Sequence, residues 1–366
     1  MAENSNIEWC DHTFNPWRGC TKVSPGCANC YADSLSARNP TTLGKWGPHG
    51  TRIVASNAMW QQPVKWNEKV ICGQCGYAEV EGSDDCRKCT NELSRENGAR
   101  RPRVFCASLA DIFEDWTKEM RYPGTEEDGS PTTHFAWWNP NRGIIKAGQT
   151  QVRLHPEERP ATMQDARDQL FKLIETTPNL DWLLLTKRPQ NVMRMVPEHW
   201  HTQFPNNVWM GTSVEDQNAA DTRIPELLKI PAKVRFLSCE PLLAPVDLTR
   251  FFWDNGMDRC WPKKQEEAIH WVIAGGESGP EARPMNPDWA LSLLDQCADA
   301  AAPFLFKQWG EWRHCDEMPA ADYADAIRRN CDHQNGSGNG YLKVGKKAAG
   351  RLLDGVEHNG YPLTNS

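Results

Sequence analysis

Fourteen cysteines stand in this chain, and seven of them fall into two tight groups. Cys72, Cys75, Cys86 and Cys89 form C-x2-C-x10-C-x2-C, and Cys20, Cys27 and Cys30 form C-x6-C-x2-C. Each C-x2-C knuckle can place two thiolates on one tetrahedral ion, and Gly73 and Gly76 let the first knuckle turn tightly. The gap between the knuckles is shorter than the usual zinc-ribbon range, but one short hairpin spans it. Four thiolates close the coordination shell, so the expectation there is a zinc that staples a ribbon rather than one that does chemistry. Two disulfides or four free thiols are the alternative, which a reducing compartment disfavours. The three-Cys group has no obvious fourth protein ligand. Three thiolates on a 4Fe–4S cluster leave one iron open to a small molecule. A lone zinc completed by Asp11 or His12 is the other reading. The remaining seven (Cys10, Cys106, Cys239, Cys260, Cys297, Cys315 and Cys331) read as small core residues or inert surface thiols.

The elements that must position these groups follow from the rest of the composition. A chain of 366 residues with 39% apolar and 24% charged residues is globular, and spans about two domains or one large α/β barrel with insertions. No run approaches the roughly 18 apolar residues of a membrane span. The start, MAENSNIEWCDHT, has neither the basic nor the apolar segment of a secretory signal, so a cytoplasmic protein is expected. With 41 basic against 48 acidic residues the net charge is −7, which argues against an all-over basic coat but leaves room for a local patch.

Short apolar runs alternate with amphipathic stretches. Strands are expected at about Ile7–Phe14, Arg103–Leu109, Asp181–Thr186, Val208–Ser213, Val234–Ser238, His270–Ala274 and Pro303–Gln308. Helices are expected at about Cys27–Arg38, Pro160–Thr176, Gln190–Met195, Asp216–Leu228 and Pro287–Ala300. This alternation points to an α/β fold: a full or partial (β/α) barrel of the TIM type, with an inserted four-Cys zinc ribbon and a C-terminal extension. A doubly wound open sheet is the alternative, although no G-x-G-x-x-G follows the first strand. The expected divisions are 1–60, the first barrel unit with the three-Cys loop; 61–103, the ribbon; 104–314, the remaining units with a loop-like insertion at 117–160; and 315–366, a C-terminal subdomain with a helical stretch at Ala320–Arg329.

Polar residues lie just past each strand, where barrels build their active sites. They include Asp111 after the second strand, Lys187 and Arg188 after the third, and Ser213, Glu215 and Asp216 at the end of the fourth. Glu240 follows the fifth strand, Gly275, Gly276 and Glu277 the sixth, and Lys307 and Gln308 close the seventh. Ser213 and Asp216 are also good helix N-caps. An ion pair between Arg188 and Glu240 bracing the barrel mouth is the structural reading of those two.

Several stretches resemble the phage three-Cys-motif, radical-SAM-like proteins, which occur in phages and bacteria. They are Gly19-Cys20-Thr-Lys-Val-Ser-Pro-Gly-Cys27-Ala-Asn-Cys30-Tyr31-Ala32, Leu185-Thr186-Lys187-Arg188-Pro189, Gly211-Thr-Ser213-Val-Glu215 and Ser238-Cys239-Glu240-Pro241-Leu242-Leu243. Gly275-Gly276-Glu277-Ser278-Gly279 and Gly345-Lys346-Lys347-Ala-Ala-Gly350-Arg351-Leu352-Leu353-Asp354-Gly355 complete the set. The resemblance runs from about residue 7 to 363 outside the two insertions. Through it the chain is similar to radical S-adenosylmethionine (SAM) enzymes, which commonly carry C-x3-C-x2-C; here the first gap is six residues. The resemblance implies that Cys20, Cys27 and Cys30 ligate a 4Fe–4S cluster whose open iron chelates SAM. One electron would then release a 5′-deoxyadenosyl radical that abstracts a substrate hydrogen. A Gly-Gly-Glu stretch in that superfamily often contacts the cofactor's amino group after an early strand. Here Gly275-Gly276-Glu277 follows a late one, and Asp111 is in the better position. Lys187 and Arg188 would hold the SAM carboxylate, and Ser213, Glu215 and Glu240 would bind ribose hydroxyls or line the substrate pocket.

Two functions of different class emerge. The first is a radical SAM-like enzyme that modifies or repairs a nucleic acid or nucleotide in a bacterial or phage-infected cell, served by an electron donor and open to a protein partner. Arg95, Arg100, Arg101 and Arg103 would grip phosphate and the many Trp would stack bases. The second is a non-catalytic, zinc-dependent nucleic-acid-binding or interaction protein in which all seven clustered Cys are structural. A metal hydrolase is weaker, because there is no H-E-x-x-H and no His cluster.

Overall fold

A computed structural model describes residues 5–94, 96–125, 130–146, 157–252, 268–318 and 340–362. The seven expected strands are β1 (His12–Phe14), β2 (Arg103–Cys106), β3 (Asp181–Thr186), β4 (Val208–Ser213), β5 (Val234–Cys239), β6 (Trp271–Gly275) and β7 (Phe304–Gln308). They form one sheet in the order β1-β2-β3-β4-β5-β6-β7. The pairs β1–β2, β2–β3, β5–β6 and β6–β7 are parallel. The order never reverses, so there is no topological switch point and the doubly wound alternative fails. The strands are buried on both faces, which is why they read as continuous apolar runs. The outer edge of β7 is occupied near its start. Gly360 N donates to Phe304 O at 2.8 Å, and Phe306 N to His358 O at 3.0 Å. The C-terminal segment therefore covers the first half of that edge strand.

Among the described residues four longer helices follow the strands, α1 (Tyr31–Arg38), α2 (Met163–Glu175), α3 (Gln217–Leu228) and α4 (Pro287–Asp299), and the short helix expected after β3 is present at Val192–Met195. Helix α2 starts on a capping box between Thr162 and Asp165 and buries Met163, Ala166, Leu170, Phe171 and Ile174, one face at helical spacing. Asp216 caps α3 by accepting from Ala219 N at 2.8 Å, whereas Ser213 stays in the strand. Asn286 caps α4, with Pro287 at its first position.

The chain divides into two compact units. The first comprises 1–21, 32–185 and 191–209, with a core in which Phe14 meets Trp60 and Trp182 edge-on. Within it the stretch 117–160 departs from the loop-like expectation. Arg121–Thr125, Pro131–Asn139, Gly143–Lys146 and Arg159–Pro160 are strands of a second sheet that also takes in Trp17–Arg18 and Ile53–Val54. The second unit comprises 22–31, 186–190 and 210–366, with Trp271 between Phe236 and Tyr361. Its segment 341–350 holds a strand at Tyr341–Lys343, paired with Trp312–His314, and a short helix at Lys346–Ala349. The expected helix at Ala320–Arg329 lies outside the described residues, as do Arg95, Cys260 and Cys331. No described helix is long and apolar enough to cross a membrane.

Candidate functional site

The three-Cys loop begins in the first unit. Gly19 has φ +104, and a Cβ there would lie 2.5 Å from Thr51 O, so only glycine passes. Cys20 O accepts from Gly47 N at 2.9 Å. Beside it Arg52, fully buried, makes a two-pronged pair with Glu114: Nε to Oε2 and Nη2 to Oε1, both 2.7 Å. The same Nη2 donates to Thr21 Oγ1 at 2.9 Å, and Trp116 lies 3.8 Å from the guanidinium. The fork thus fixes the residue next to Cys20.

The rest of the loop belongs to the second unit. Pro25–Cys27 is a 3-10 turn, closed by Cys27 N donating to Ser24 O at 2.9 Å. Gly26 rests on Glu215, whose side-chain carbons would be 3.1–3.3 Å from a Cβ. Glu215 lies two residues past β4 and is buried. It accepts from Arg223 at 2.7 and 3.2 Å. Burial alone would raise its pKa, but the charge of Lys187 and hydrogen bonds from Arg223 and Ser24 hold it below the ordinary glutamate value. Glu277 lies two residues past β6. Its carboxylate accepts from Arg283 N, Nε and Nη2 at 2.8, 2.8 and 2.6 Å and from Asn29 Nδ2 at 3.1 Å. Arg283 Nη2 also donates to Pro25 O at 3.1 Å, and Asn29 Nδ2 to Glu281 O at 2.6 Å. The turn carrying Cys27 and Cys30 is therefore seated on the carboxyl ends of β4 and β6.

The other strand-end residues sort themselves by partner. Glu240 accepts from Lys307 Nζ at 2.7 and 2.8 Å and from Gln308 Nε2 at 2.9 Å, so its ion pair is with Lys307 and not with Arg188. Gln308 also donates to Ser278 Oγ at 2.9 Å. Arg188 is buried, its N–H donating to Thr186 Oγ1 at 2.9 Å, and Lys187 is half-buried. Ser213 is buried and its carbonyl accepts from Arg223 at 2.8 Å. Asp111 is buried in its own turn, accepting from Phe113 N at 3.0 Å. Gly276 has a packing reason for being glycine: a Cβ would fall 1.9 Å from Trp309 O. Arg52, Glu114, Arg223, Arg283 and Asn29 carried no sequence signal, because their partners are distant or hidden among ordinary surface residues.

The four-Cys group forms a compact centre under the hairpin Lys69–Ile71/Ala78–Val80. Its four sulfurs lie within 4.8 Å of one another, with Cys72–Cys89 at 3.7 Å and Cys75–Cys86 at 3.6 Å. Zinc–sulfur bonds of about 2.3 Å give a tetrahedron with edges of about 3.8 Å, so the group can hold a metal ion and zinc fits it. The Cys75 backbone N–H, ahead of burial and other donors, leaves the Cys72 thiol at about 7. Cys89 is pushed up to about 12 despite the Asn91 N–H, by desolvation and the three neighbouring thiols. A dication would relieve that mutual repulsion. Among the described residues His314, Cys315 and Asp316 form the other such group; Cys20, Cys27 and Cys30 do not form one.

Residues 4–121 and 158–362 match a family described as protein of unknown function (DUF5131). The chain belongs to that family. The DUF5131 match takes in the three-Cys loop, the four-Cys hairpin and every strand-end residue above, and passes over 122–157. No curated protein and no solved structure matches the chain.

Within the DUF5131 region the basic stretch turns inward. Arg100 donates to Asp11 at 2.6 and 2.9 Å, Arg101 lies 3.5 Å from Asp181, and Arg103 is buried over Trp209. Asp11 also accepts from Arg103 N at 2.7 Å, so both of its oxygens are already engaged by Arg100 and Arg103. Burial would raise Asp11, but Arg100 and Arg103 hold it below the ordinary value. His12 stacks on Trp66 at 4.3 Å. Among the described residues ten Trp are buried in the core and so are not stacking surfaces. Cys10, Cys106, Cys239 and Cys297 are buried too. Burial holds the thiols of Cys106 and Cys239 far above the usual range and pushes Cys297 up to about 12, so these three are inert.

Proposed function

We propose that this DUF5131 protein is a radical SAM-like enzyme on a partial (β/α) barrel, with Cys20, Cys27 and Cys30 holding a 4Fe–4S cluster and a nucleic acid or nucleotide as substrate. One observation carries the reading. The turn bearing Cys27 and Cys30 is locked onto strand-end carboxylates, the end of the sheet where α/β barrels do chemistry. The donor set fits the group: Cys20, Cys27 and Cys30 are unbridged and half-buried, and Asp11 is taken up by Arg100. Asp11 thus drops out as the fourth ligand of a lone zinc.

When bound, the cluster and SAM supply an electron and a carbon radical able to remove hydrogen from an unactivated C–H bond. The chain's own residues do the positioning. Glu215 and Glu277 seat the turn, Lys187 and Arg188 are the cations for a SAM carboxylate, and the Glu240–Lys307–Gln308–Ser278 set offers donors and acceptors to ribose or substrate. The reducing compartment that such a cluster requires is the cytosol, with a one-electron donor as partner. A nucleic-acid substrate is supported by Arg121 stacked at 4.4 Å on the exposed ring of Phe135, an aromatic–cation pair on the second sheet.

The four-Cys centre favours a second reading, a zinc-dependent binding protein without catalysis. Anaerobic reconstitution with iron and sulfide separates the two. The enzyme reading requires brown protein with about four iron per chain beyond the zinc, and 5′-deoxyadenosine on reduction with SAM. Both must disappear in Cys27→Ala. Colourless wild-type protein that binds zinc alone overturns it.

A further inference from the structure

We propose that Glu277 is a positioning residue for the cysteine loop, acting through Arg283 and Asn29, and not a contact to the amino group of SAM. The inference rests on the reading that Cys27 and Cys30 hold the cluster.

The acceptor count decides between the two roles. A carboxylate offers about four lone-pair sites. Glu277 Oε2 takes Arg283 N, Arg283 Nε and Asn29 Nδ2, and Oε1 takes Arg283 Nη2. Four donors from within the protein meet this buried carboxylate, three on Oε2 and one on Oε1, and one guanidinium bonds both oxygens. An incoming ammonium would have to share Oε1 with that guanidinium in a site closed to solvent.

What the fork holds is the loop. Arg283 Nη2 reaches on to Pro25 O, the first residue of the turn that ends in Cys27. Asn29, bound to Glu277 and to Glu281 O, immediately precedes Cys30. The two tethers thus fall two residues before Cys27 and one before Cys30, fixing both thiols relative to β6. The anchor itself is rigid. Glu277 O accepts from Glu311 N at 3.1 Å, and Gly276 N donates to Gln308 O at 2.8 Å. A Cβ on Gly310 would fall 2.0 Å from Glu277 O, and one on Gly276 would fall 1.9 Å from Trp309 O. Gly276 of the motif and Gly310 beside it serve this close backbone approach, so Gly276 has a packing role that needs no cofactor contact.

The test uses the full-length protein, wild type against Glu277→Gln, Arg283→Lys and the milder Asn29→Ala. Supporting partners of a metal site typically change affinity by about 10–100-fold. Iron release from the reconstituted, SAM-free protein to a chelator should therefore quicken at least about tenfold in Glu277→Gln and Arg283→Lys, and by less in Asn29→Ala. The cluster's electron paramagnetic resonance spectrum should shift with it, while the SAM affinity of the cluster-loaded fraction stays at the wild-type value. Zinc content at the four-Cys centre reports that the variants are folded.

If iron retention and spectrum are unchanged and SAM affinity alone falls, Glu277 is a cofactor ligand and the proposal is wrong. Hydrogen exchange of residues 26–31 in iron-free protein provides a readout independent of the cluster. Faster exchange in Glu277→Gln and in Asn29→Ala supports the clamp even if wild type takes up no iron, a result that would defeat the enzyme reading alone. Unchanged exchange in both overturns the clamp.

Discussion

The pair beneath Cys20 gives the sharpest test of the energetics. Glu114→Gln keeps the shape of the side chain and removes its charge. Arg52 is fully buried and would keep Thr21 Oγ1, Thr51 O and one amide oxygen as acceptors, with an NH2 group facing the other guanidinium N–H and no counter-charge. Breaking one side of a buried ion pair typically costs about 3–5 kcal/mol, because the surviving charge stays desolvated. That lowers the folded-to-unfolded ratio by about two to nearly four powers of ten. With an m-value of about 3 kcal/mol/M, the first unit's urea midpoint should fall by about 1–1.7 M. The double variant Arg52→Met/Glu114→Leu removes both charges and should recover most of the loss, because a well-packed apolar pair is often as stable as the buried ion pair it replaces. Equilibrium unfolding followed by circular dichroism measures all three proteins. A Glu114→Gln midpoint within about 0.2 M of wild type, or a double variant no better than the single, would refute the reasoning.

Cys86→Ala should abolish zinc binding at the four-Cys centre and lower the thermal midpoint; on the proposed reading, iron reconstituted at the three-Cys loop should be retained, and loss of that iron alone would contradict the separation of the two centres. Asp165 is held below its ordinary value of 3.8 by Arg159 and the Thr162 backbone, which together outweigh burial. Its stabilisation is therefore complete above pH 4 or so and fades as acid carries the pH down through the depressed folded-state value. Asp165→Asn should be less stable than wild type at pH 7, with the gap closing in pH titrations towards 2; a constant gap would show that the charge plays no part. Phe135→Ala should weaken single-stranded nucleic acid binding, measured by fluorescence anisotropy, by the loss of about 1–3 kcal/mol that one stacked base contributes. An unchanged affinity would remove this surface from the substrate reading.

The seven strands were legible because buried parallel strands are short unbroken apolar runs, and Asp181–Thr186 and Val208–Ser213 match to the residue. The second sheet was not. Trp17–Arg18 and Ile53–Val54 are two residues long, and Pro131–Asn139 begins with proline and lacks a clean alternation, so only pairing with distant partners makes them strands. The three-Cys loop could be found from spacing. Its seating could not, since Asn29 and Glu277 are 248 positions apart and Arg52 and Glu114 are 62 apart. Distance also explains the basic stretch. Arg100 and Arg101 look like a solvated run until Asp11, just before β1, and Asp181, at the start of β3, arrive beside them.

The monotonic strand order has a kinetic consequence. Strands β3 to β7 succeed one another at intervals of roughly 20–30 residues, whereas β1 and β2 are separated by some 90, and loop closure across the longer tether is dearer by about 1 kcal/mol. The later strands thus zip together through short tethers, and the amino-terminal strand, though synthesised first, docks late on a nucleus assembled from its successors. Lengthening the chain between β1 and β2 should therefore delay completion of the sheet without slowing its initiation.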